Sequence, residues 1–157
     1  MKRIGDTLDR RQFCVLSGAA VIPGFAMSAT PEVWSALELA EALDSNAAIL
    51  LDVRSRAEWA DTGLATGAWP VSQHEPGFEQ RLFAARDRSA GKPVALICAT
   101  GGRSGRVFAA LKRAGYSEFI DVPEGMLGSS SGPGWIARGL PMTDLETALA
   151  ALPKVLR

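Results

Sequence analysis

"VALICATGGRSGRVFAALKRAG", residues 94–115, decides the fold. Val94 to Ile97 form an unbroken apolar run, the pattern of a strand buried on both faces of a parallel sheet. A helix is expected to begin near Ser104, with Val107, Phe108, Leu111 and Ala114 facing inward and Arg106, Lys112 and Arg113 outward. Gly115 stands where a C-terminal cap is expected. Between strand and helix lies Cys98 to Arg103, beyond the carboxyl end of the strand, where open α/β sheets hold their ligands. Gly101 and Gly102 permit the sharp curl that turns backbone N–H groups into an anion-binding nest at a helix N-terminus. Arg103 adds fixed positive charge, and a thiol in that field loses its proton more readily and becomes a nucleophile.

The flanking sequence repeats the alternation of strand and helix. Ser35 and Glu38 have capping-box spacing, with Trp34 and Leu39 placed as a hydrophobic staple for a helix running to about Leu43. "AAILLDV" (47–53) is a second buried strand, and Ser55 and Glu58 repeat the capping-box spacing for a short helix ending near Gly63. Residues 64–77 are turn-rich around a short strand at Ala68 to Val71. Phe78, Leu82, Phe83 and Ala85 mark a further helix, "EFIDV" (118–122) a short strand, and Asp144 to Leu152 a final helix. The predicted class is α/β, a mostly parallel sheet flanked by helices.

Composition narrows the chemistry. Of 157 residues, 17 are basic and 17 acidic, with no basic stripe, so nucleic acid is not an expected partner. One histidine and two cysteines fall short of a four-ligand zinc site, and neither metal nor cofactor is expected.

Residues 1–29 read as an export signal. A basic start, the pair Arg10–Arg11 followed by Phe13, and an apolar stretch interrupted by Pro23 resemble a twin-arginine signal with cleavage near Ala29. Residues 30–157 would then be the mature periplasmic domain, with 13 basic and 15 acidic residues, no membrane association and a single thiol, Cys98. Cys14 lacks the context of a lipid-attachment site and reads as filler of the apolar stretch. A lone thiol kept in an oxidising compartment suggests use.

Strand, Cys-x-x-Gly-x-Arg-Ser, helix resembles the active-site loop of single-domain rhodaneses, the sulfurtransferase family. "LLDVRSRAEW" (50–59), "TGAW" (66–69) and "EGMLGSSSGPGWIARGLPM" (124–142) resemble that family's other segments in order, so the resemblance covers roughly residues 35–142. It implies a rhodanese-like fold and a reaction in which Cys98 takes sulfur from a small anionic donor, typically thiosulfate, as a persulfide. Cyanide or a thiol then removes the outer sulfur. Cys98 would be the nucleophile, and Ala99, Thr100, Gly101, Gly102, Arg103 and Ser104 would hold the donor and the anionic sulfur. Asp52 and Arg54 are expected to tie a strand end to its neighbours, with donor steering by Arg54 as the alternative.

The span from Cys98 to Arg103 is one residue shorter than the Cys-x5-Arg of phosphatases and arsenate reductases of this fold, and suits a single sulfur better than a tetrahedral oxyanion. A non-catalytic binding module of the same fold is the other alternative, although such modules usually lack the cysteine. Two departures stand out: Trp69 occupies a position where an aliphatic residue is usual, and Gly128 to Gly134 lengthens the closing segment. That loop reads either as a flexible rim that recognises a periplasmic partner or as a solvated connection.

Overall fold

A computed structural model describes residues 32–157; the export-signal reading of 1–29, with Cys14, and the start of the domain at residue 30 lie outside them. Helix α1 (Ala36–Asp44) leads into strand β1 (Ile49–Asp52), helix α2 (Arg56–Thr62) and strands β2 (Leu64–Ala65) and β3 (Ala68–Pro70). Helix α3 (Phe78–Arg88), strand β4 (Val94–Ile97), helix α4 (Gly102–Arg113) and strand β5 (Phe119–Asp121) follow. The chain closes with α5 (Gly134–Ala137), β6 (Met142–Thr143), α6 (Leu145–Ala151) and a 3-10 turn at Lys154–Leu156.

The central sheet has the order β3-β1-β4-β5, and its three strand pairs are parallel. Successive side chains on a strand point to opposite faces, and here both faces are covered. Leu50, Ala95, Ile97 and Ile120 pack with Leu39 of α1, Trp59 of α2 and Trp135 of α5. Leu51, Val94, Leu96, Cys98 and Phe119 pack with Leu82 of α3 and Leu111 of α4. Cys98 therefore continues the alternation of β4 into the second face. A fully buried leucine contributes about 1.5–3 kcal/mol, which makes these unbroken apolar runs the main source of stability.

Local signals placed the helix ends. Ser35 and Ser55 each accept a hydrogen bond from the N–H three residues on, while Glu38 and Glu58 reach back to the cap residues' N–H groups. Helix α4 ends with Gly115 at φ 90°; the Tyr116 N–H donates to Leu111 O at 3.1 Å and the Gly115 N–H to Lys112 O at 3.0 Å.

Several features differ from the sequence expectation. Helix α4 starts at Gly102 rather than near Ser104, because Gly101 turns into the left-handed region (φ 82°) and lets the helix begin at once. Ala114 is exposed, since the helix is already closing there. An antiparallel pair, β2 with β6, and a bridge from Val33 to Asp121 at the sheet edge had no counterpart in the expectation.

The loop at Gly128 to Gly134 is a hairpin tied by hydrogen bonds. The Ser129 N–H donates to Gly132 O at 2.9 Å, the Gly132 N–H returns to Ser129 O at 3.2 Å, and Ser129 Oγ donates to Pro123 O at 2.7 Å. No helix among the described residues is long and apolar enough to cross a membrane.

Candidate active site

Cys98 is a free thiol, 1% exposed, at the mouth of the sheet where β4 ends. The segment after β5 runs behind the loop and pairs with its carbonyls. The Met126 N–H donates to Cys98 O and the Leu127 N–H to Ala99 O, both at 2.8 Å. Gly101 O accepts from the Gly105 N–H at 3.0 Å and from Ser104 Oγ at 3.2 Å. In a trans peptide the following N–H points opposite to the carbonyl. Fixing these oxygens therefore turns the N–H groups of Ala99 and Thr100 away from the closing segment, and that of Gly102 out of the start of α4. None of the N–H groups of residues 99 to 104 meets a backbone or side-chain acceptor among the described residues. Such a run of open donors at a helix N-terminus favours an anion.

Two glycines make the fit. A Cβ on Gly101 would lie 2.2 Å from Pro123 O, and one on Gly125 (φ 69°) would lie 2.4 Å from Ala99 O. Loop and closing segment are in backbone contact there, and no larger residue fits.

Arg103 does not stand free beside the thiol. Its NH1 donates to Glu58 Oε2 at 2.8 Å, its NH2 donates to Glu58 Oε1, and NH1 also lies 3.1 Å from His74 Nε2. The Arg103 hydrogen bonds, aided by those from Ser55, hold the Glu58 carboxyl down at about 2 against its burial. In return Glu58 raises the guanidinium further above its ordinary range. Glu58 was legible only as a capping residue, and His74 falls in the turn-rich segment before α3. Their meeting at Arg103 depends on how α2 and the turn before α3 pack at the loop.

Ser104 is fully buried, with its hydroxyl turned to Gly101 O. Its neighbour Asp121, 7% exposed, carries an unpartnered Oδ1, and burial raises its pKa. Asp52, level with Ile97 in the sheet, forms a buried pair with Arg54. Arg54 Nε donates to both Asp52 oxygens at 3.0 Å, and NH2 to Oδ2 at 2.7 Å. NH1 reaches Thr62 Oγ1 at 2.8 Å and NH2 also reaches Gly63 O at 2.7 Å, so the guanidinium fastens the end of β1 to the end of α2. At 1% exposure it has no face for a donor.

Glu124, which the sequence did not single out, anchors the closing segment. It accepts from Arg138 Nε at 2.8 Å, the Gly134 N–H at 3.1 Å and the Ala36 N–H at 3.2 Å. These bonds, Arg138 foremost, hold its carboxyl below the usual range.

No cluster of three or more His, Cys, Asp or Glu residues suited to a metal ion occurs among the described residues. A groove of about 840 Å³ lies at the opposite end of the sheet between Leu37, Leu43, Trp69 and Trp135 and includes no residue of the loop.

A parallel α/β sheet with a cysteine-headed anion loop at its carboxyl edge defines a class of thiol-bearing domains. Residues 35–130 match the Rhodanese-like domain, and the chain belongs to that family. The structure is similar to a rhodanese-related protein from Thermoplasma volcanium, with 29% identity over 72% of this chain and 98% of that one and a TM-score of 0.51. It is similar to Rv0390 from M. tuberculosis, with 28% identity over 71% and 96% and a TM-score of 0.50. A polysulfide-sulfur transferase from Wolinella succinogenes shares the fold, with 23% identity over 71% and 77% and a TM-score of 0.51. No curated protein matches in sequence.

Proposed function

We propose that this domain is a sulfurtransferase in which Cys98 carries sulfur as a persulfide. The observation that supports this most is the run of open N–H groups from Ala99 to Ser104 around a buried cysteine. With thiosulfate as donor, the Cys98 sulfur anion attacks the outer sulfur. That sulfur's bond to the sulfite sulfur breaks, sulfite leaves with the electron pair, and the persulfide's terminal sulfur keeps the negative charge. The loop donors stabilise that charge in place. Cyanide then takes the terminal sulfur as thiocyanate and regenerates the Cys98 anion; a thiolate acceptor would leave as its own persulfide.

The short span from Cys98 to Arg103 favours sulfur over phosphoryl or arsenate chemistry. We further read residues 1–29 as a twin-arginine signal that delivers the domain to the periplasm, and the Gly128 to Gly134 hairpin as the surface offered to a partner there.

Intact mass before and after thiosulfate, then after cyanide, tests the reaction. The expected record is a gain of one sulfur atom, erased by cyanide and absent in Cys98→Ser. No gain with thiosulfate, polysulfide or mercaptopyruvate would leave the domain a binding module. The mass of the exported protein checks the cleavage.

A further inference from the structure

Between Cys98 and Arg103 the loop carries Ala99, Thr100, Gly101 and Gly102, so Arg103 supplies its only cationic side chain. That cation is already matched. NH1 and NH2 of the guanidinium each donate to an oxygen of Glu58, and the two side chains are 22% and 31% exposed. A fork-to-fork pair of this kind holds both partners in one geometry. With its carboxyl held down at about 2, Glu58 stays ionised at neutral pH. The charge of the loop is therefore cancelled where it stands, and the run of open N–H groups from Ala99 to Ser104 is left to hold an anion. Donors at a helix start amount to about half a positive charge, which suits one negative charge better than two. Beyond the loop, Arg106 is exposed to solvent on the next turn of α4, and Arg56 and Arg81 share Glu75.

We infer that Glu58 sets the donor class of this site: by neutralising Arg103 it turns the site away from dianions such as thiosulfate and toward organic hydropersulfides, which bring one negative charge or none. The donor class rests on the sulfur-transfer reading; the neutral rim does not. With a hydropersulfide, the Cys98 sulfur anion attacks the terminal sulfur and a bond forms between the two. The bond between the donor's own sulfurs breaks, and its organic thiolate leaves with the electron pair and takes up the proton of the terminal sulfur. Cys98 is left as an anionic persulfide, a single charge among the N–H groups.

The test varies the charge of the pair while keeping its shape. On the full chain at one pH, Cys98 is alkylated with anionic iodoacetate and with neutral iodoacetamide. The ratio of the two rates, read by mass on the Cys98 peptide, cancels the thiol's own protonation. Glu58→Gln leaves a net positive charge and should raise the ratio about threefold; Arg103→Gln leaves a net negative charge and should lower it about threefold. The double variant is neutral again and should return to the wild-type ratio, which lost packing alone would not produce. Arg106→Gln, in solvent one turn away, should move the ratio less than half as far. In sulfur loading, Glu58→Gln should lower the KM for thiosulfate about tenfold, because two charges respond, and that for an alkyl hydropersulfide by less than about twofold. An unchanged ratio in both single variants overturns the neutral rim, as does a shift in Arg106→Gln equal to that in Arg103→Gln. A ratio that follows the charge, in a wild type that loads faster from thiosulfate than from an equal concentration of hydropersulfide, overturns the donor class. A ratio that follows the charge in a protein taking sulfur from no donor upholds the neutral rim and overturns sulfur transfer.

Discussion

Glu58 of α2 and Arg103 of α4, 45 residues apart, grip each other with two oxygens and two nitrogens at the edge of the cysteine loop. Glu58 also caps its own helix through Ser55, so one carboxylate fastens the start of α2 to the loop. Its carboxyl ionises at about 2 in the folded chain against an ordinary 4.5. A depressed folded value means that the stabilisation is complete above the unfolded value and fades as pH falls through the folded one. Urea midpoints of Glu58→Gln and wild type should differ at pH 6 and converge as pH falls through about 2, where the wild-type carboxyl takes up its proton in the folded chain.

Removing one partner of the buried Asp52–Arg54 pair leaves an uncompensated charge. Asp52→Asn is expected to cost about 3–5 kcal/mol in urea denaturation. Arg54→Lys should also destabilise, because an ammonium cannot reproduce the fork that holds Asp52, Thr62 and Gly63 together. Both variants, assayed well below their unfolding midpoint, should keep the wild-type KM for thiosulfate. A raised KM in Arg54→Lys would restore a steering role.

Adjacent glycines should behave in opposite ways. Gly101→Ala puts a methyl into Pro123 O and strains a left-handed backbone, at a cost of about 1–3 kcal/mol, and should slow persulfide formation at least about tenfold. At Gly102 a Cβ meets nothing within 4 Å, so Gly102→Ala should gain about 0.5–1 kcal/mol of helix stability. Thermal unfolding with the mass assay separates the two.

Glu124→Gln weakens the Arg138 pair while keeping one acceptor oxygen for a backbone donor. A loss of about 1–3 kcal/mol is expected, with faster amide exchange at Ala36 and Gly134 than at residues of β1.

What the sequence disclosed follows the range of each interaction. Strands β1 and β4, the two capping boxes and the Gly115 terminus are written in residues a few places apart, and periodicity or spacing exposes them. The start of α4 was misplaced because the left-handed turn of Gly101 depends on Pro123 pressing against it from another segment. Cys98 and its loop could be singled out because strand, glycines and arginine are contiguous. Glu58 and His74 could not be joined to Arg103 beforehand, since each reads locally as a cap or a turn residue. Glu124 was hidden in the same way: its three bonds reach to Ala36, Gly134 and Arg138.

The contact between the closing segment and the loop also divides the domain into a part whose length is set and a part whose length is free. Cys98 and Ala99 are held from behind by Met126 and Leu127, Gly101 abuts Pro123, and Arg103 is moored to Glu58. An extra residue between Cys98 and Arg103 would put at least one of these out of step, so the ring is gauged by its surroundings as much as by its own sequence. The Ser129–Gly132 turn closes on itself and can lengthen outward without disturbing those moorings. That turn can therefore change its surface while the calibre of the cysteine loop stays constant.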